Sequence, residues 1–449
     1  MHNVMRPKTN HRTTHKTGLG FHYYPDELHY RSTDVEYWLP KLQNLGANWI
    51  TLVSSTNRSI PETFLSPLIQ SGIEPIIHIK TNYIKPLDID VVQSTLQAYA
   101  NWGVKYVCVF DCPNMRTSWK PGDFEQKHLA ERFVDCWIPI AKLQIDSGLP
   151  ATLTPLYQGG IYWDTSFLSA VLETIVSRQH QAIIDNLVLG IYSFAGSHAA
   201  DWGRGGHKAW PASQPYRTPP GSQDQTGFWS FEWYAEIMEK VIGHIRPILM
   251  IAGGARRTEI DNRTQEHKDI AWHTTCNISI ANAMLSGHLP DYLLNVNFWL
   301  LCADSGHPAS DDAWLPNEGD TTPAAQQLQN IITKTHPSMM TLGKEYINSL
   351  YTHKILKHYI LLPRFDWGLS EWHWNIAGTL VQDNDACCGY SVDAALLSDT
   401  VTIVANHHEI SLDVEAQLKQ AGCTTHRIKY EDLETISKKS KVLSNKAIV

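Results

Sequence analysis

No apolar run of about 18 residues occurs in this chain, so it offers no membrane-spanning helix. Residues 1–18, MHNVMRPKTNHRTTHKTG, are polar and basic and lack the apolar core of a secretory signal. The expectation is a disordered lead-in over 1–17 and a cytoplasmic protein. Cysteine is sparse: eight in 449 residues do not make a disulfide scaffold. Cys108, Cys136 and Cys302 sit in apolar runs and read as buried thiols. Cys387 and Cys388 are adjacent, with no Cys-x-x-Cys partner, and the 22 histidines are scattered. Zinc needs clustered ligands, so no metal is expected. There is no Walker A pattern, no Gly-x-Gly-x-x-Gly after a strand and no His-Glu-x-x-His, so no cofactor is expected. A net charge of −8 argues against a nucleic-acid surface. No internal repeat of 20–50 residues is evident.

What is present is alternation. Short β-rich runs occur at 18–24, 48–54, 73–79, 104–111, 151–156, 186–194, 247–252 and 293–301. Between them lie helical patterns at 35–45, from Pro61, 91–102, 124–147, 167–180, 228–242 and 264–285, with a last one at 323–332. In the first helix Val35, Trp38, Leu39, Leu42 and Leu45 share one face. The strand runs are nearly continuous in apolar residues, as strands covered on both sides are. Eight such pairs predict a closed (β/α)8 TIM barrel over 18–335. The pattern restarts after about residue 352. Strands at 359–362, 401–404 and 423–428, a Trp-rich turn (DWGLSEWHW) and a helix at 412–421 predict a small C-terminal α/β domain over 352–430. A basic, flexible tail is expected over 431–449.

In such a barrel the chemistry belongs at the C-terminal ends of the strands. His22 and Tyr23 follow the first run, Arg58 the second, His78 and Lys80 end the third, and Asp111 and Asn114 follow the fourth. Gln158 follows the fifth, His198, Asp201 and Trp202 the sixth, and Ala252 to Arg257 the seventh. Trp119, Trp163, Trp202, Trp210, Trp229, Trp299 and Trp314 fall on or near these loops. Flat indoles stack on the apolar faces of sugar rings, and aromatics with a few placed polar groups make a ligand pocket. The plainer role is packing of loops onto the rim. The candidate substrate-binding set is His22, Tyr23, Arg58, His78, Asn114, Trp119, Trp163, His198, Trp202 and Trp299. Carbohydrate is the expected partner, with neither nucleic acid nor membrane.

Several of these stretches resemble clan A glycoside hydrolases. Leu45-Gly46-Ala47-Asn48-Trp49 before a β run resembles the second-strand region of bacterial members, and Gly72 to Ile77 resembles their third strand. Asp111-Cys112-Pro113-Asn114, with Trp119 downstream, resembles their Asn-Glu-Pro-Asn strand end. Pro247 to Gly254 resembles their seventh strand, which usually ends Thr-Glu-Gly-Gly. The resemblance covers about 18–335 and implies hydrolysis of O-glycosidic bonds. It places Cys112 at the acid/base position and Ala252 at the nucleophile position. Two-carboxylate cleavage needs one group to protonate the leaving oxygen and another to attack or activate water. A thiol can give a proton; alanine can do neither job. The candidate substitutes are Asp111, Glu232 and Asp201, with Asp164 and Glu259 on neighbouring loops. Each has a plainer role: loop acceptor, helix N-terminal charge, or turn residue. Arg256 and Arg257 read as a site for an acidic sugar or phosphate.

The stretch VTIVANHHEISLDVEAQLKQAGCTTHRI resembles the β-helix-β unit of bacterial cell-wall-binding repeats, which implies glycan contact. Three functions remain open: a carbohydrate-binding protein on a glycosidase-like barrel, a hydrolase with relocated carboxylates, and an interaction or structural protein.

Overall fold

Period-two alternation decides what each barrel strand packs against. On β1 (Gly18–His22), Leu19 and Phe21 point to the helix layer, leaving Gly18, Gly20 and His22 for the lumen. On β3 (Glu74–Lys80), Ile77 and Ile79 face the helices, while Ile76 joins a separate inner cluster with Cys108, Val188, Tyr192, Leu249, Ile251 and Ala252. The computed structural model describes residues 17–56, 58–259, 267–316, 321–335, 354, 356–363, 365, 369–384 and 386–432. The expected start of a helix at Thr264, nearly all of the lead-in and most of the tail lie outside these residues.

The chain divides into two units, residues 1–337 and 338–449. In the first, α1 (Ser32–Asn44), β2 (Trp49–Ser55) and α2 (Glu62–Gln70) precede β3. Then come α3 (Ile89–Asn101), β4 (Tyr106–Val109), α4 (Leu129–Asp146), β5 (Ala151–Leu153), α5 (Asp164–Ser177) and a short α6 (Gln181–Asp185). They are followed by β6 (Leu187–Phe194), α7 (Gly206–Ala209), α8 (Ser230–Ile242), β7 (Ile248–Gly254), α9 (Ile270–Leu285), β8 (Asn295–Phe298) and α10 (Pro323–Thr335). The eight strands are parallel, in the order β4-β3-β2-β1-β8-β7-β6-β5. This is the (β/α)8 barrel that the alternation predicts. Asp88 caps α3 by accepting from Asp90 N and Val91 N, which starts that helix before the apolar pattern does. The α4 helix begins at Leu129, later than expected, because His128 before it is left-handed (φ 62°).

The ladder is open between β4 and β5, and side chains close it. Gln144 of α4 donates to Val107 O (2.6 Å) and accepts from Thr152 N (3.2 Å). Thr154 Oγ1 donates to Val109 O (2.6 Å), and Cys112 N donates to Pro155 O (3.1 Å). Between β7 and β8, Asn295 brackets Met250 in the same way, accepting from its N–H and donating to its carbonyl. In the lumen, Gly20 has no room for a side chain: a Cβ there would meet Asn297 Oδ1 and Trp49 O. A bulge between β6 and β7 pairs Ile191 with Met250 and Tyr192 with Ala252, skipping Ile251. The extra residue turns Ala252 into the lumen.

The second unit contains β9 (Leu356–Leu361), α11 (Glu371–Asn384), β10 (Cys387–Gly389), α12 (Val392–Leu396), β11 (Ser398–Val404), α13 (Leu412–Gln420) and β12 (Thr424–Ile428). Its sheet is parallel, in the order β10-β9-β11-β12. The expected Trp-rich turn is corrected here: from Glu371 the segment is the first turn of α11, and Ala377 on that helix packs in a core with Ile360, Leu362 and Val404. The short β10 and α12 were not expected. Among the described residues no helix is long and apolar enough to cross a membrane.

Candidate functional site

The inward parity that begins at Gly18, Ile76 and Val188 brings His22, His78, Lys80, Tyr192 and Phe194 to the C-terminal mouth of the barrel. Asp111, just past β4, joins them. Its Oδ1 accepts from Tyr192 Oη (2.9 Å) and from Cys112 Sγ (3.2 Å). Its Oδ2 lies 3.5 Å from Lys80 Nζ, a pair with both side chains about a third exposed or less (33% and 27%). Burial pushes the Asp111 carboxyl upward, but Lys80, His78, Cys112 and Tyr192 together outweigh it and hold the group below the usual carboxylate range. Asp111 is therefore an ionised acceptor at neutral pH. Burial and the neighbouring Asp111 raise the Cys112 thiol, so it stays protonated.

The backbone here is strained. Phe110 (φ 75°) and Cys112 (φ 45°) are both left-handed, which costs L-residues about 1–2 kcal/mol each. The turn is held from several sides: Phe110 N to Ile79 O (3.0 Å), His78 Nε2 to Phe110 O (2.7 Å), Cys112 N to Pro155 O (3.1 Å) and Met115 N to Cys112 O (2.9 Å). Such over-determined strain concentrates at functional sites.

Beneath the Asp111–Lys80 pair lie two buried imidazoles. His78 donates through Nε2 to Phe110 O, which leaves its Nδ1 buried without a hydrogen-bond partner. Neither ring nitrogen of His22 has one, and its ring packs 4.6 Å from that of Trp299. Burial lowers both histidines, His78 to about 4, and Lys80 adds to the effect. Both are neutral at physiological pH.

Above this cluster opens a cavity of about 330 Å³. Tyr157, Trp163, Tyr192 and Phe194 supply its aromatic walls, and Gln158, His198 and Thr226 its polar groups. Among the described residues, Arg256 and Glu259 bring the full charges to its lining, and they bond to each other through Arg256 Nε (2.7 Å) and Nη2. The guanidinium also lies over the Phe194 ring, 3.9 Å from its centroid. Gln158 is clamped by Phe194 N, Gly227 O and Gln225 O. His198 stacks on Trp202 (4.0 Å, 9°), and Asp224 fixes both neighbours by accepting from Trp202 Nε1 and from Thr226.

Several candidates take other places. Tyr23 is corrected first: strand neighbours point oppositely, so with His22 inward Tyr23 packs among Tyr24, Tyr30, Trp38 and Phe64. Asn114 is buried and staples the β4 and β5 loops through Tyr157 N, Tyr157 O and Tyr162 O. Trp119 is buried, donates to Pro113 O and packs under Arg132. Glu232 accepts from Gly205 N and pins the α7 loop to α8 instead of lining the cavity. Asp201 is exposed and lies near Cys276 of α9, outside the cavity lining. Arg58 is exposed beyond β2, its carbonyl held by Ser54 Oγ. Trp299 is half-buried, with Nε1 on Asp312. Trp314 and Trp229 belong to the core.

Asp164 is a structural bolt. It is fully buried and accepts from Tyr234 Oη (2.5 Å), Gln225 Nε2 (2.7 Å) and Gly159 N (3.2 Å). Burial outweighs these bonds and raises its carboxyl to about 6. The folded protein thus holds this proton more tightly than the unfolded chain does. Its contribution to stability is full below about pH 4 and falls as pH rises to about 6, by about 2–3 kcal/mol. In Asp164→Asn that decline is expected to vanish, as read by urea unfolding between pH 4 and 8. An unchanged decline in the variant would contradict this assignment.

Lys80, Tyr192, Phe194 and the Arg256–Glu259 pair were not selected from the sequence as a set. The available signal was parity: Lys80 is two residues beyond His78, and Phe194 two beyond Tyr192. Elsewhere, Asp26, His29 and Asp304 place one ligand atom each within 4.8 Å of one another, the one such group among the described residues.

No family model matches the sequence, and no curated protein matches it. Solved structures with similar chains include a family 39 glycoside hydrolase from Bacteroides cellulosilyticus, at 11% identity and a TM-score of 0.45. That match covers 71% of this chain and 64% of the other, less than two thirds of its length. A second is a family 128 endo-β-1,3-glucanase from Sorangium cellulosum (12% identity, TM-score 0.41, 70% of this chain and 97% of the other). A third is one of two fungal β-1,4-galactanases (11% identity, TM-score 0.44, 69% and 99%).

Proposed function

We propose that this protein binds a neutral carbohydrate at the barrel mouth and does not cleave it by two-carboxylate chemistry. The observation that carries the reading is charge pairing. Among the described residues, Asp111 and Glu259 at the mouth are each tied to a cation, Lys80 and Arg256. Glycoside cleavage needs a carboxylic acid that gives a proton to the leaving oxygen. Asp111 is held ionised, so it accepts hydrogen bonds and gives none. Ala252, which the resemblance sets at the nucleophile position, is buried apolar lining of the lumen. The aromatic walls and the amide, imidazole and hydroxyl groups suit a ring with apolar faces and hydroxyl edges.

The paired arginine also revises the expectation of an acidic ligand. An anionic sugar or phosphate would have to compete with Glu259 for Arg256. Calorimetric titration with matched neutral and uronate oligosaccharides tests this. The neutral member is expected to bind at least tenfold more tightly, with little dependence on salt. Preference for the uronate, weakening steeply with salt, would contradict the neutral assignment. The strained turn around Asp111 favours a second reading, a hydrolase in which Asp111 takes part. Cleavage that disappears in Asp111→Asn would select that reading.

A further inference from the structure

We infer that the ligand surface continues out of the mouth, over Trp163, into a second pocket between α5 and α8, so that the ligand is an oligosaccharide and not a single sugar. This rests on the carbohydrate reading of the mouth. The second pocket measures about 290 Å³, and Ser166, Ser169, Gln214, Gln225 and Glu236 give it a polar wall. Trp163 lines both pockets. Each volume is at the small end of the ligand-pocket range of about 300–1,000 Å³. A ligand of several sugar units needs more than one of them, and these two share a wall.

The ridge between them is built. Tyr216 is left-handed (φ 62°), a conformation that costs an aromatic residue about 1–2 kcal/mol. A tight turn, in which Gln214 and Arg217 exchange both backbone hydrogen bonds (2.9 Å each), holds it there. The Tyr216 hydroxyl is consumed locally: it accepts from Trp163 N (2.8 Å) and donates to Ile161 O (3.2 Å). Its ring is left 62% exposed, 5.1 Å from the Trp163 ring. Tyr157, 46% exposed, stands on the mouth side of the same ridge. The turn that strains Tyr216 also seats its hydroxyl on the Ile161–Trp163 loop, and the exposed faces of Tyr216 and Tyr157 beside Trp163 are the kind of surface a sugar chain crosses. Asp164, next to Trp163, bolts the ridge to α8 through Tyr234, and to Gln225 in the second pocket. The ridge is therefore rigid before ligand arrives, which spares part of the ordering cost of binding.

The test is calorimetry with neutral β-linked gluco-, manno- and galacto-oligosaccharides from one unit to six. Wild type is expected to gain at least tenfold in affinity between the shortest and longest members of the series that binds. Ser169→Trp plugs the second pocket and is expected to remove that gain. Trp163→Ala removes the shared wall and is expected to weaken long ligands at least tenfold, with melting curves reporting that the fold is retained. Equal affinity for short and long ligands in wild type, or a length gain that survives Ser169→Trp, would overturn the inference while leaving the mouth as a binding site. No binding by any neutral sugar would remove the carbohydrate reading and this inference together.

Discussion

Gln144→Ala is expected to destabilise the barrel unit by about 2–6 kcal/mol, because two buried backbone groups lose their partners at about 1–3 kcal/mol each. Gln144 is fully buried and spans the one break in the eight-stranded ladder, with Val107 O on one side and Thr152 N on the other. Each strand elsewhere in the barrel meets its neighbour through backbone bonds or, at Asn295, a side-chain bracket. At β4 and β5 the amide of Gln144 serves as the missing rung. Alanine leaves a cavity that a water can enter and partly satisfy. Gln144→Met fills the space with an apolar chain and excludes that water, so it is expected to be no more stable than Gln144→Ala. Urea unfolding measures both. A methionine variant as stable as wild type would show that volume, not hydrogen bonding, closes the seam. The mouth end of the same seam is Cys112 N on Pro155 O, next to Asp111. Loosening the seam is therefore expected to weaken ligand binding as well.

Lys80→Met is expected to weaken the pH dependence that Asp111 gives the protein. In the wild type Asp111 titrates below its unfolded value, so its stabilising effect is present above about pH 4 and lost as pH falls further. Lys80 is the largest of the influences that depress it, and burial is the influence that opposes them. Without the ammonium, burial is opposed only by His78, Cys112 and Tyr192, and the carboxyl rises toward its unfolded value. The loss of stability from this group as pH falls below about 4 then becomes shallower. The pair is neither fully exposed nor fully buried, so its loss is expected to cost about 1–3 kcal/mol at pH 7, between the values for surface and buried pairs. Affinity for the neutral glycan is expected to fall at least tenfold, since the Asp111 acceptor loses the ammonium that positions it. Carbon-detected NMR titration of the Asp111 carboxyl reads the shift directly. The same acid-range slope in both proteins would show that Lys80 does not control Asp111.

The barrel was legible because its evidence is repetitive. Eight apolar runs alternate with helical patterns, and one misjudged boundary leaves the count intact. Helix ends were less legible, because they are set by single residues: Asp88 as a cap, His128 and Gln179 in left-handed conformations. The segment 371–374 read as a turn because its tryptophans and histidine mask the helical period, whereas packing of Ala377 against β9 and β11 settles it.

The site was legible only in part, for a geometric reason. Choosing polar residues near strand ends gathers both strand faces, and so paired His22 with Tyr23. Parity separates them. Asn114, Trp119, Asp164 and Glu232 occupy loops and helix starts near the mouth, but their bonds run to backbone and neighbouring side chains. Sequence shows that such residues are near the rim and cannot show what they already hold. The pairing of Arg256 with Glu259 is of the same kind: their three-residue spacing is readable, while the closure that neutralises both is a property of the folded loop.

The most direct measurement takes the neutral oligosaccharide that calorimetry identifies and follows it with wild type and Asp111→Asn, recording binding heat and reducing-sugar release on the same samples. The account predicts binding by wild type, weaker binding by the variant, and no release by either. Release by wild type that disappears in Asp111→Asn would contradict it and make Asp111 part of a working hydrolase.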